Sequence, residues 1–242
     1  MQSTIAPCLR RSTCLCVTLV FGAAFTVPVR AQEAQPGISI KWWHGAIAAG
    51  GVSALLLLDN PVRGFSQGNR GPAGDGVASV VRRMGQPEVY ATVTLGLLGA
   101  GLVSGDSRIT RTGARAASSL ALTGAAVYGG KYLMGRGRPD ELLRDEPAMP
   151  SGHTAMAFAL ATSLSDDIGR PWATVGLYTM AGAVGWSRIN DNRHWLSDVA
   201  AGAVLGIASA KFASGRWTIF GLRAPSVLAG PEGVGVGWEA EF

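Results

Sequence analysis

The sequence predicts an all-α protein: an antiparallel bundle of about six helices, with a small β-hairpin at its C-terminal end. Three observations carry that expectation. Apolar residues make up 48% of the 242 and charged residues only 15%, well below the roughly one quarter usual in soluble domains. Glycine occurs 34 times and alanine is abundant, which suits helices that approach one another closely. Apolar stretches of helical length alternate with short Gly-, Pro- and Asn-containing breaks, and short connections favour antiparallel neighbours.

Residues 1–31 read as a secretory signal. Arg10-Arg11 supply the positive region, about Cys14 to Val27 the apolar one, and Val29-Arg30-Ala31 a small-residue cleavage site before Gln32. An uncleaved anchor is the alternative. Cys8, Cys14 and Cys16 all lie in this leader, so a cleaved product offers no disulfide, cysteine-metal site or thiol catalysis. The leader's three arginines also account for much of the formal +5 charge. Without them 18 basic residues face 16 acidic ones, which gives no basis for a nucleic-acid partner.

Residues 32–41 form a polar linker, and a helical domain is expected over 42–216. Its first apolar stretch, about 45–58, follows Trp42-Trp43-His44 and stops at Asp59-Asn60-Pro61. Residues 62–76, rich in Gly, Arg and Asn, are expected to cross the surface as a loop. Helices follow over about 77–103, with a break at Gly85-Gln86-Pro87, then 112–134, 151–166, 172–187 and 194–213. In the tail, 217–242, Ala229 to Gly233 looks like a turn, and Val234, Val236 and Trp238 alternate with small residues. His44, beside two tryptophans, reads as an interfacial residue rather than a catalyst.

Most of these runs fall short of the ~20 residues a membrane span needs. Three polar clusters nevertheless sit at one end of an up-down bundle. The opposite end carries Arg108, Arg111, Arg115, Arg170, Lys211 and Arg216, a bias that fits a cytoplasmic side. The expectation is a bundle in or on a bacterial-type cell envelope, in the periplasm or the membrane, with the clusters facing outward.

The clusters hold the chemistry. Lys131 closes the third helix, and Arg138-Pro139 follow its Gly-rich end; Lys gives a point charge and Arg a planar fork for phosphate oxygens. Pro150-Ser151-Gly152-His153 opens the fourth helix. Ser151 is placed as its N-cap, and the free N–H groups there make an anion site. Arg188 closes the fifth helix. His194 and Asp198, four apart, would share a face of the sixth, with Asp198 fixing the imidazole tautomer. Taken singly, the basic residues and the His194–Asp198 pair fit dipole pairing, capping and packing better than catalysis, and Pro150-Ser151-Gly152-His153 fits a plain helix cap equally well. Arg136, Arg144 and Arg193 are expected to be solvated or rim charges.

Taken jointly, Lys-x6-Arg-Pro, Pro-Ser-Gly-His and Ser-Arg-x5-His-x3-Asp resemble the signature of the type 2 phosphatidic acid phosphatase and vanadium haloperoxidase superfamily, over about residues 112–213. The resemblance implies that Lys131, Arg138, Ser151, Gly152 and Arg188 bind phosphoryl oxygens. It implies that His194 attacks phosphorus, Asp198 orients it and His153 protonates the leaving oxygen. It also implies a metal-independent phosphatase without cofactors that acts on phosphate monoesters or diphosphates, of lipids by preference, at a membrane surface or bilayer. Fixed cations can neutralise the equatorial oxygens, and no compact metal-ligand set stands out in the sequence. A soluble periplasmic acid phosphatase on small organic phosphates, a vanadium haloperoxidase and a non-catalytic bundle are the alternatives. The short stretch Asp140–Met149 leaves little room for a substrate lid.

Overall fold

The computed structural model describes residues 37–224 and three short outlying strands. Contacts divide the chain into two compact units, Met1–Ile40 with Gly215–Phe242, and Lys41–Ser214. The smaller unit holds β1 (Leu15–Val17), β2 (Ile38–Ile40), β3 (Trp217–Ile219), β4 (Ser226–Gly230) and β5 (Gly233–Trp238). β4 and β5 pair antiparallel with Gly230 opposite Gly233, which is the hairpin the alternating valines implied. β1 adds to the other edge of β5. The end of the supposed linker is itself a strand. Ile38-Ser39-Ile40 pairs parallel with Trp217–Ile219, as alternating β-branched residues favour. Apart from β1, the expected leader and its cleavage site lie outside the described residues.

The larger unit is helical: α1 (Trp42–Leu55), a 3₁₀ turn (Leu56–Leu58), α2 (Asp59–Gly68), α3 (Pro72–Met84), α4 (Pro87–Ser104), α5 (Ser107–Met134), α6 (Gly152–Ile168), α7 (Pro171–Asn190) and α8 (Leu196–Ala213). Local chemistry explains the boundaries. Prolines open α3, α4 and α7, where a missing N–H costs nothing. Asp106 caps α5 by accepting from the N–H of Arg108 at 2.7 Å, and Gly135 ends it in the left-handed conformation.

The expected loop over 62–76 is instead mostly α2 and the start of α3. Its composition is poor for helices, but tertiary hydrogen bonds override propensity. Gln67 donates to the carbonyls of Ile189 and Asn190 at 3.1 and 3.2 Å. Arg63 donates to Asn192 at 2.8 Å, and Asn190 to Asp75 at 2.8 Å. Both helices thus turn polar side chains inward to the end of α7 and leave Phe65, Val77 and Val80 exposed.

α6 is the central helix, packed on α5, α7 and α8. Its core is built of small residues, with Ala155, Ala157, Ala159 and Ala161 buried. Short hydroxyl bridges tie it to its neighbours: Ser163 to Ser119 at 2.8 Å, Thr162 to Tyr178 at 2.8 Å, and Ser165 to Thr174 at 2.7 Å. α8 crosses α6 at backbone contact distance through Gly202 and Gly206. A Cβ on Gly202 would meet the Ser151 carbonyl oxygen at 2.5 Å, and one on Gly206 the Ala155 carbonyl oxygen at 2.1 Å.

Among the described residues, three helical runs are by length and composition apolar enough to cross a membrane: Trp42–Gly68, Pro87–Ser104 and Leu196–Ala213. Much of their surface is outward-facing, with Leu57, Leu95, Leu102 and Val103 exposed. These exposed apolar faces support association with a membrane.

The α6–α8 contact yields a stability prediction. Gly206→Ala should destabilise the helical unit by at least about 1–3 kcal/mol, the usual range for overpacking, because the opposing atom is backbone. Thermal unfolding in detergent checks it; an unchanged midpoint would refute the close crossing.

Candidate active site

Four helix ends meet where α5 and α7 finish and α6 and α8 begin. The chain leaving α5 returns through a bridge between Gly137 and Pro147, and the N–H of Ala148 donates to the carbonyl of Arg136 at 2.6 Å. The loop then delivers Pro150 and Ser151 to the start of α6. There the N–H of Ser151 donates to the backbone carbonyl of Asp198 at 3.0 Å, which ties the start of α6 to the first turn of α8.

Lys131, on the last turn of α5, donates through Nζ to the carbonyl of Pro147. Arg138 pairs with Glu146 at 3.0 Å, and Arg188 lies 3.7 Å from Asp191. The Nε atoms of Arg138 and Arg188 are buried and have no protein partner. Ser151 is fully buried at the N-cap position of α6, but its side chain does not cap; its Oγ accepts from the hydroxyl of Thr154 at 2.9 Å. Gly152 and His153 form the first turn.

His194 is not on a helix. It lies in the turn before α8, whose first residue is Leu196, and Trp195 between them is extended. Asp198 is at the third helical position, where its Oδ2 accepts from the N–H of Trp195 at 2.9 Å and satisfies one of the free donors of the helix start. The shared helical face expected for the pair is therefore replaced by a turn that folds His194 back. Its Nδ1 is 3.6 Å from Asp198 Oδ2, within ion-pair range but without a hydrogen bond, and is buried.

Electrostatics unify these groups. His153 is held down to about 4, first by burial, then by Arg188, His194, Arg138 and Lys131. His194 is also lowered, chiefly by burial and further by Lys131 and Arg138, against the opposing pull of Asp198. Lys131 is lowered by burial and by Arg138. The sequence-selected cations and both imidazoles thus lie in one another's fields. His153 and Arg188 line an open cleft of about 540 Å³ with Arg70, Arg82, Gln86, Asp191 and Arg193.

Two site residues escaped sequence reasoning. Arg136, expected at the rim, is three-quarters buried. Its guanidinium donates to Asp198 Oδ1 at 3.0 Å, to Ser197 Oγ at 2.6 Å and to Asp59 Oδ2 at 2.7 Å. Asp59, read as the stop of an apolar run, is buried and also accepts from the Ser197 N–H at 2.8 Å and hydroxyl at 2.7 Å. The available signal was a lone carboxylate ending an apolar helix, which needs a buried cation somewhere. His44, by contrast, stacks on Trp43 in the first turn of α1, outside the site.

The family model described as "PAP2 superfamily" matches residues 112–218. A lipid A 1-phosphatase from Porphyromonas gingivalis is 50% identical over 93 residues, 38% of this chain and 20% of that protein. The chain thus spans about a fifth of the length of the curated relative it matches. Among solved structures, LpxE from Aquifex aeolicus aligns with TM-score 0.55 and 24% identity, over 65% of this chain and 94% of that one. A transmembrane PAP2 type phosphatidylglycerolphosphate phosphatase from Bacillus subtilis aligns with TM-score 0.58 and 19% identity, over 72% and 92%. These two share the helical fold.

The depressed histidine gives a prediction. Sulfate, a dianion that does not itself titrate near pH 5.5, should raise His153 toward the solution pH and so take up a fraction of a proton on binding. Calorimetry in two buffers of different ionisation heat measures this. His153→Gln should reduce the uptake; proton release on binding would contradict the assignment.

Proposed function

Since residues 112–218 match the model of the PAP2 superfamily, we propose that the protein is a phosphoric ester hydrolase that cleaves lipid phosphates through a phosphohistidine. The single observation behind this is the pairing of a buried imidazole, His194, and a half-buried one, His153, with arginines whose buried Nε donors have no protein partner.

Lys131, Arg138, Arg188 and the N–H groups at Ser151 and Gly152 hold the phosphoryl oxygens and neutralise their charge without a metal or cofactor. Nδ1 of His194 faces Asp198, so Nε2 is the nucleophile. It bonds to phosphorus as the ester P–O bond breaks, and His153 gives the leaving oxygen its proton. His153 then takes a proton from water as the water oxygen attacks phosphorus. The N–P bond breaks, and alcohol and phosphate are the products. His153 is neutral near pH 7 in the free protein, and the arriving phosphate raises it enough to serve as the acid.

A lipid substrate is supported by the three apolar helical runs and by the names of the relatives, lipid A and phosphatidylglycerolphosphate phosphatases. The orientation proposed is outward. The end opposite the site carries Arg108, Arg111, Arg115, Arg170 and Lys211, although Arg115 is paired with Asp167 and Lys211 with Asp166 at 2.7 Å. A leader over 1–31 and a domain over 42–216 belong to the same proposal.

Phosphate release from a lipid phosphate in mixed micelles, with chelator present, tests this. Turnover should persist in chelator, and an acid-labile phosphoenzyme should appear. His194→Ala should abolish both. Full turnover by that variant would remove the mechanism, and activity confined to soluble esters would remove the lipid assignment.

A further inference from the structure

We propose that Asp59 and Arg136 are positioning residues for the nucleophile: they clamp Asp198 from behind and set the charge that His194 meets. The inference rests on the phosphohistidine chemistry above. Its geometry is a relay of opposite charges. Asp59 binds Arg136 Nη2 at 2.7 Å, Arg136 Nη1 binds Asp198 Oδ1 at 3.0 Å, and Asp198 Oδ2 lies 3.6 Å from His194 Nδ1. Ser197 locks the middle. Its hydroxyl donates to Asp59 at 2.7 Å and accepts from Arg136 at 2.6 Å, while its N–H donates to Asp59 at 2.8 Å. The Arg136 guanidinium lies 5.2 Å from the Trp195 ring centroid, and the indole N–H is fixed on the Gly137 carbonyl at 3.1 Å. Both carboxylate oxygens of Asp59 and both of Asp198 thus accept hydrogen bonds.

Charge counting shows what the arrangement does. Two buried carboxylates share one guanidinium, so the trio carries one net negative charge, and His194 stands at its open end. When a neutral imidazole attacks through Nε2, Nδ1 keeps its proton and the phosphorylated ring carries positive charge. One residual negative charge offsets it. The other charged groups around His194 are Lys131 from α5, Arg138 from the following loop with Glu146 beside it, His153 from α6, and Arg188 from α7 with Asp191 beside it. The cations serve the phosphate; the trio serves the ring. Without Asp59, Arg136 could close fully on Asp198 and cancel it. Without Arg136, Asp198 would lose its orientation and its buried counter-charge. Asp59 also lies well before the matched segment 112–218, so the first helical run completes the reaction centre as well as reaching the membrane.

The test uses full-length protein, a lipid phosphate substrate, and rates per folded molecule, counted from the fraction that is monodisperse in detergent and unfolds cooperatively, so that misfolded molecules drop out. Asp59→Asn and Arg136→Gln should each lower kcat roughly 10–100-fold, the usual cost of losing a group that orients a reacting one, with KM changed less than about twofold. The acid limb of kcat/KM should move in opposite directions. Losing the Asp59 charge makes His194 harder to protonate and shifts the limb to lower pH; losing the Arg136 charge shifts it higher. Arg136→Lys, which keeps the cation, should recover most of the rate and return the limb. Per-site rates and pH limbs like those of the unaltered protein would overturn the proposal. So would loss of all folded protein in both Asp59→Asn and Arg136→Lys, which would assign the network to folding alone. If no acid-labile phosphoenzyme can be trapped from the unaltered protein, the phosphohistidine chemistry itself fails.

Discussion

The structure depends on two helix starts meeting at backbone contact. The Ser151 N–H reaches the carbonyl of Asp198, and α8 presents Gly202 and Gly206 to the carbonyls of Ser151 and Ala155. That contact fixes the first turn of α6 against the first turn of α8 and so sets His153 opposite the His194 turn. A side chain on either glycine would separate them. The high glycine and alanine content is thus a requirement of the site as well as of helix packing.

Around this junction the ends of α5 and α7 add cations that are costly on their own. Arg188 is 7% exposed and lowered by burial first of all, and its Nε and that of Arg138 lack partners. Burying unmatched donors destabilises a fold, and a tetrahedral anion with several acceptor oxygens supplies what they lack. Burial first, and then the same cations, hold His153 down to about 4 in the free protein, and a bound anion would oppose both the cations and that shift.

Much of this was legible in the sequence because it rests on residue types at helix ends. Helix periodicity and Gly/Pro breaks put Lys131, Arg138, Ser151, His153, Arg188 and Asp198 at helix ends, and the resemblance of the joint pattern implied their roles and that of His194. What was illegible depended on distant partners. Residues 62–76 look like a loop until Gln67 and Asp75 find the end of α7. Asp59 looks like a helix stop until Ser197 and Arg136, 138 and 77 residues away, bind it. His194 looks helical until the carboxylate of Asp198 satisfies the Trp195 N–H and leaves the histidine in the turn. In each case a buried polar group had to be paired, and the sequence does not say with what.

The most direct test of the central claim is a crystal structure with orthovanadate, which mimics phosphorus in mid-transfer. The account predicts vanadium bonded to Nε2 of His194, its oxygens within hydrogen-bonding distance of Nε of Arg138 and Arg188, and the His153 ring at the apical oxygen. Vanadate bound away from His194, or the His153 ring away from the apical oxygen, would contradict it.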